Sequence, residues 1–199
     1  MNAMSAPLVR PQLNHLGLYT ADMVAMERFY VDVMGMMVTD RGTVPRLGHV
    51  SIVFMSSNPA SHHQVAIIGK PTQKGPSCIN QIAFKLQSLA ELRTLHERVT
   101  AANVGPITPI DHGNAWSIYA FDPDGNGIEI YIDTPWHVAQ PHSRPLDFSL
   151  SDEAIRRVTE VAVRADPTFK ALDAWSDEFA GALAKDARDG QPERTRAHV

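Results

Sequence analysis

From Leu13 to Tyr19 the chain alternates, with His15, Gly17 and Tyr19 on one side and Asn14, Leu16 and Leu18 on the other, which is the period of a strand. The period then changes. Met23, Met26, Phe29, Tyr30, Val33 and Met34 recur at helical spacing behind Asp22, a suitable N-cap, and Gly35 offers the left-handed residue that ends a helix. Three short β-rich runs follow, Met37 to Asp40, His49 to Met55 and His63 to Ile68, parted by Gly42, Pro45, Asn58 and Pro59. This module, over about residues 12–70, reads βαβββ.

The same order returns over residues 78–133. Leu13, Asn14, His15, Leu16, Gly17 and Leu18 are answered sixty-six residues later by Ile79, Asn80, Gln81, Ile82, Ala83 and Phe84. A strand is predicted over Ile79 to Leu86. Ser88 and Glu91 in a capping-box arrangement then precede Leu89, Leu92, Leu95 and Val99. Strands over Pro106 to Ile110, Trp116 to Phe121 and Gly127 to Ile132 complete the copy, with Asp122, Pro123, Asp124, Gly125 and Asn126 as the turn between the last two. One helix per module leaves the other face of each sheet uncovered, so an α+β fold of paired βαβββ modules is expected, with a cleft between curved mixed sheets.

After residue 133 the pattern stops. Thr134 to Pro145 reads as an irregular segment, and two helices follow in a C-terminal extension over residues 134–199. The first carries Ile155, Val158 and Val161 and ends at Asp166 and Pro167; the second sets Leu172, Trp175, Phe179 and Leu183 on one stripe that must bury against the body or a partner chain. From Asp186 a polar, frayed end is expected. Composition narrows the setting. A net charge of -4 leaves no basic excess for nucleic acid, and no run is long enough to span a membrane. The lone Cys78 makes no internal disulfide and Met1 to Pro11 is no signal peptide, so a cytoplasmic protein is expected.

Candidate chemistry lies at matched places in the repeat: His15 to His63 spans 48 positions, and so does Gln81 to Glu129. With Ile128, Ile130 and Ile132 on the opposite face, Glu129 is a carboxylate aimed where burial is costly unless a cation or a salt bridge meets it. These features together resemble the vicinal oxygen chelate superfamily: the two modules, the His15 strand, Phe29-Tyr30 before Gly35, and the Asp122 to Asn126 turn leading into Ile128, Glu129, Ile130 and Tyr131. That superfamily includes glyoxalase I, bleomycin-resistance proteins and type I extradiol dioxygenases. The resemblance covers residues 10–133 and is nearest to the extradiol branch. It implies a divalent metal, Fe(II) first and Mn, Ni or Zn as alternatives, held by His15, Gln81 and Glu129.

Gln81 departs from the extradiol pattern, which keeps a His there; it could coordinate, or it could bind substrate instead. His63 is a fourth ligand by the glyoxalase pattern and an acid/base catalyst by the extradiol one. The extradiol likeness also implies that Tyr119 hydrogen-bonds the substrate oxygen and that His112 approaches it from the preceding loop. Three functions remain open: ring cleavage of a catechol-like aromatic diol with O2, a glyoxalase-like lyase or isomerase, and metal-free binding of an aromatic compound. A homodimer fits any of them.

Overall fold

The computed structural model describes residues 12–69 and 79–189, with the side chains of Arg46 and of residues 186–189 left aside. Cys78, Met1 to Pro11 and residues 190–199 of the polar end lie outside the described residues. Strand β1 (Leu16–Thr20) leads to helix α1 (Met23–Arg28), whose N-terminus is capped as expected: the Asp22 carboxylate accepts from the Ala25 amide at 2.9 Å. The helix does not run on regularly to Gly35. Phe29–Val33 forms a wider π turn, closed by the Met34 amide donating to the Phe29 carbonyl at 3.0 Å, and Gly35 takes φ +74° beyond it.

Strands β2 (Met37–Val44), β3 (Val50–Ser56) and β4 (Val65–Gly69) complete a mixed sheet in the order β1-β4-β3-β2, with β1 and β4 parallel. The second module holds β5 (Ile82–Lys85), α2 (Leu89–Ala102), β6 (Thr108–Asp111), β7 (Ala115–Phe121) and β8 (Gly127–Asp133). Again its first and last strands, β5 and β8, pair in parallel. Ser88 accepts from the Glu91 amide at 3.2 Å, while the Glu91 carboxylate takes the Gln87 amide at 2.7 Å, one residue earlier than a regular capping box.

The two copies share one continuous apolar core, with Met26, Tyr30, Met55, Ile67, Leu92, Trp116, Ile118 and Ile130 all fully buried. A polar tie joins them within it. The Tyr30 hydroxyl donates to Asp122 Oδ2 at 3.2 Å, and Asp122 also accepts from the Asp124 and Asn126 amides and the Asn126 side chain, so one buried carboxylate organises the turn ahead of β8. Burial raises the Asp122 pKa against the pull of those donors, and burial beside Asp122 pushes the Tyr30 hydroxyl up as well.

The C-terminal segment is less irregular than its sequence suggests. Strand β9 (Trp136–His137) leads into β10 (Arg144–Pro145), which adds an edge to the second sheet and gives the order β10-β6-β7-β8-β5. Helix α3 (Asp152–Arg164) packs over Trp116 through Ile155, as expected, but otherwise through Thr159 and Val163 in place of Val158 and Val161. Thr159 turns inward because its hydroxyl accepts from Trp116 Nε1 and donates to Asp111 Oδ2, both at 2.8 Å. Val158 and Val161 are left exposed. Arg93 on α2 holds the extension down by donating to Asp152 and to the carbonyls of Phe148 and Leu150. After β11 (Lys170–Ala171), helix α4 (Leu172–Asp189) docks through a stack of His137, Trp175 and Phe179, yet Phe179 and Leu183 remain exposed. No helix among the described residues is long and apolar enough to cross a membrane.

Candidate functional site

Strand β8 divides its side chains by period: Ile128, Ile130 and Ile132 bury toward the helices, and Glu129 points to the opposite face. On either side of it in the ladder stand Tyr119 of β7 and Ala83 of β5. Glu129 is nonetheless buried, and its oxygens are filled by neutral donors. Oε1 accepts from the hydroxyls of Ser117 and Tyr119, each at 2.8 Å, and Oε2 accepts from Gln81 Nε2 at 2.6 Å. No ion pair among the described residues includes it. The result is a buried carboxylate that no cation among the described residues pairs with, a donor chemistry that suits a metal ion.

Gln81 reaches Glu129 because the chain beside it runs unusually close to β8. A Cβ added at Gly127 would lie 2.2 Å from the Asn80 carbonyl oxygen, so only glycine allows this approach. Gln81 itself precedes β5. Since Ala83 pairs with Glu129, Gln81 lies two positions back along the same face, within diagonal reach.

His112 approaches from the β6–β7 loop. That loop is shaped by Asp111, which accepts from the Gly113 amide at 2.8 Å, and by Gly113 itself at φ +76°. His112 Nδ1 donates to the carbonyl of His142 at 2.7 Å, which leaves Nε2 of a neutral imidazole bare and 3.0 Å from the Tyr119 hydroxyl. Burial, and then the hydrogen bond to Glu129, push the Tyr119 hydroxyl up to about 12, so it keeps its proton at neutral pH. One proton thus faces two acceptors, Glu129 and His112. Gln140 braces the loop by donating to the His112 carbonyl at 2.9 Å and to Asn114 Oδ1 at 3.1 Å.

His15 and His63 form the other half of the candidate set. Their rings lie 4.2 Å apart, centroid to centroid, with Phe54 4.9 Å from His63 and His62 Nδ1 3.0 Å from His63 Nδ1. Neither is on a strand: His15 comes one residue before β1 and His63 two before β4. Burial, then the neighbouring His15 and His62, lower the His63 pKa, which favours the neutral imidazole. His15 and the Gln81–Glu129 pair open onto different cavities. His15 lines one of about 330 Å³ together with Met36, Phe84 and Leu95, whereas Gln81, His112, Tyr119 and Glu129 line another of about 310 Å³. Among the described residues no three His, Cys, Asp or Glu stand together as a metal site. Within one chain the four positions are therefore paired two by two, not gathered around one point.

The equal spacing of 48 does not reflect equal geometry. In the first module Leu16 pairs with Val65, while in the second Ile82 pairs with Ile128, so the parallel strands are offset by 49 residues in one copy and 46 in the other. Two participants escaped the sequence reading. Ser117 was within reach, because it lies two residues before Tyr119 on the same face of β7; Gln140, in a segment without period, carried no signal.

The fold and the site define a class. Residues 12–130 match the model of the Glyoxalase/Bleomycin resistance protein/Dioxygenase superfamily, and the chain belongs to that family. It is similar to two proteins of Rhodococcus globerulus, biphenyl-2,3-diol 1,2-dioxygenase 3 (30% identical over 131 residues, 63% of this chain and 65% of that one) and biphenyl-2,3-diol 1,2-dioxygenase 2 (31% over 128 residues, 62% and 63%). The matched region thus spans a little under two thirds of those relatives. Among solved structures, a glyoxylase/bleomycin resistance protein/dioxygenase domain from Frankia sp. EAN1pec superposes with a TM-score of 0.52 at 17% identity, covering 63% of this chain and all of that one. The fosfomycin resistance protein FosX from Listeria monocytogenes, complexed with Mn(II) and sulfate, gives 0.50 at 21% identity, with 63% and 95% covered. Both likenesses bear on the fold.

Proposed function

We propose that the protein is an extradiol-type dioxygenase that cleaves a catechol-like aromatic diol with O2. The observation that carries this reading is the chain of hydrogen bonds His112–Tyr119–Glu129, which sets an imidazole, a protonated phenol and a buried carboxylate along one cavity wall. The two Rhodococcus relatives, named for a dioxygenase reaction on an aromatic diol, support it. By this reading Glu129, Gln81 and His15 hold a divalent metal, Fe(II) first and Mn, Ni or Zn as alternatives. The metal, when bound, would chelate the vicinal oxygens and mediate electron exchange with O2.

The chain's own residues would do the rest. Glu129 supplies a buried carboxylate to the cavity. Tyr119, freed from Glu129 when a cation takes that carboxylate, can turn its hydroxyl to a substrate oxygen or to His112. His112 is held in one tautomer by the His142 carbonyl and can accept that proton. His63, favoured in its neutral form, is suited to act as acid/base catalyst. Because His15 opens onto a separate cavity and His63 lies against it, this reading takes the imidazoles from a second copy in a homodimer. Mixing inactive His15→Ala with inactive Glu129→Ala should then restore activity.

The direct test is to load the apoprotein anaerobically with Fe(II), add a catechol panel, admit O2, and follow oxygen uptake and the yellow ring-cleavage product. Iron bound in stoichiometric amount with neither signal would sink the reading. A glyoxalase-like reaction is less well supported, since a second carboxylate base is missing from the four positions. Pure binding of an aromatic compound would predict that Glu129→Ala changes neither metal content nor any turnover.

A further inference from the structure

Beside the His142 segment lies a cavity of about 530 Å³ between β10 and α3, lined by His142, Arg144, Arg157, Val158, Val161 and Ala162. It takes no part in the site described above. Two features of its wall are costly for an idle surface. Arg144 Nη1 is buried with no hydrogen-bond partner, and neither Arg144 nor Arg157 belongs to an ion pair among the described residues. Two of the nearby acids are already engaged: Asp111, opposite Arg144 in the ladder, accepts from Gly113 and Thr159, and Glu160 holds Arg164 at 2.8 Å. Beside these cations, Val158 is 44% exposed and Val161 68% exposed, the residues that helical period alone would have turned inward.

His142 Nδ1 is also buried and unpartnered, but it faces Gly113, whose added Cβ would lie 3.5 Å from it. The charged groups on the cavity wall are therefore the Arg144 and Arg157 guanidinium groups, which match a carboxylate in plane and spacing, and the adjoining wall is aliphatic.

We propose that this cavity binds a small organic carboxylate with an apolar body, Arg144 and Arg157 taking the carboxylate and Val158, Val161 and Ala162 the apolar part. The site is independent of the catalytic reading and stands or falls apart from it. One backbone link joins the two: the carbonyl of His142, whose side chain lines this cavity, is the acceptor that orients His112.

The probe is benzoate, titrated calorimetrically into the whole protein, with benzamide, acetate and inorganic phosphate as companion ligands. Benzoate should bind saturably at one site in the micromolar to millimolar range, with benzamide at least about tenfold weaker for want of the charge. Arg157→Gln, an exposed position, should weaken benzoate about tenfold, and Arg144→Gln should do the same. Val161→Ser should weaken benzoate but not acetate, while Arg164→Gln, on the same helix and already paired, should leave benzoate binding unchanged. Thermal melts of each variant identify any that fail to fold, and Arg157→Gln carries the decision if Arg144→Gln is one of them. The proposal is overturned if benzoate shows no saturable binding, if benzamide binds as well, if phosphate binds and benzoate does not, or if a folded Arg157→Gln binds benzoate like the parent.

Discussion

Replacing Gly127 by alanine would put a Cβ 2.2 Å from the Asn80 carbonyl oxygen and 3.4 Å from Gln81 Cα. The obstacle is backbone, which cannot swing away as a flexible side chain can. To restore an ordinary contact the Asn80–Gln81 segment must retreat by about 1 Å, an overpacking of the kind that costs about 1–3 kcal/mol. The same retreat stretches the 2.6 Å bond from Gln81 to Glu129, a hydrogen bond to a charged acceptor that contributes about 1.5–3 kcal/mol when well made. Because the two effects share one displacement they do not add fully, and about 3 kcal/mol is expected in total. With a urea slope of about 2 kcal/mol/M the unfolding midpoint should fall by more than about 1 M. Gly125→Ala is the matched control. That residue sits at φ +81° with nothing within 4 Å of an added Cβ, so only the left-handed backbone cost of about 1–2 kcal/mol applies. Urea melts of both variants, followed by far-UV circular dichroism, make the comparison. If Gly127→Ala loses no more stability than Gly125→Ala, the close approach of Asn80 to β8 is not what holds Gln81 in place.

Arg93→Met should cost about 2 kcal/mol or more and loosen the extension, because the side chain is largely buried and its three acceptors lose a charged donor together; hydrogen exchange in α3 should rise while that in β7 and β8 does not. Tyr119→Phe should leave the fold intact, lower ring-cleavage turnover at least tenfold if the phenol handles a substrate oxygen, and leave iron content unchanged, as metal analysis would verify. A pH effect follows from His63. Its folded pKa lies below the ordinary value of about 6.5, so the folded state binds fewer protons there, and the stability it contributes is present above about pH 6.5 and is lost as pH falls toward the lowered value. Urea midpoints measured downward from neutral pH should therefore drop less steeply in His63→Gln than in the parent; equal slopes would refute this.

The elements with strong period were legible in the sequence. The sixty-six-residue repeat holds across β1 and β5 and across the starts of α1 and α2, where strand alternation and capping residues leave few choices. It drifts afterwards, because loop lengths differ between the copies and period says nothing about them. Glu129 was legible for the same reason: three isoleucines mark the other face of its strand. His15, His63 and Gln81 were expected on strands but lie just before them, at ends that pattern locates least well. What pattern could not reach was how the pairs meet. That depends on ladder offsets, set by the close approach at Gly127 in the second copy, which no local period encodes. The extension shows the same limit, since Thr159 reads as a surface residue until Trp116 and Asp111 are placed beside it.

The bond from Tyr30 to Asp122 crosses 92 residues. The turn that launches the Glu129 strand is thus finished by a phenol from the other copy, and contacts of such separation form late, after loop closure has been overcome. A fragment beginning at residue 78 would keep the carboxylate and its three neutral donors but leave Asp122 without its aromatic partner. The first repeat thus carries part of the scaffolding of the second, which is not self-sufficient at the turn ahead of its own carboxylate.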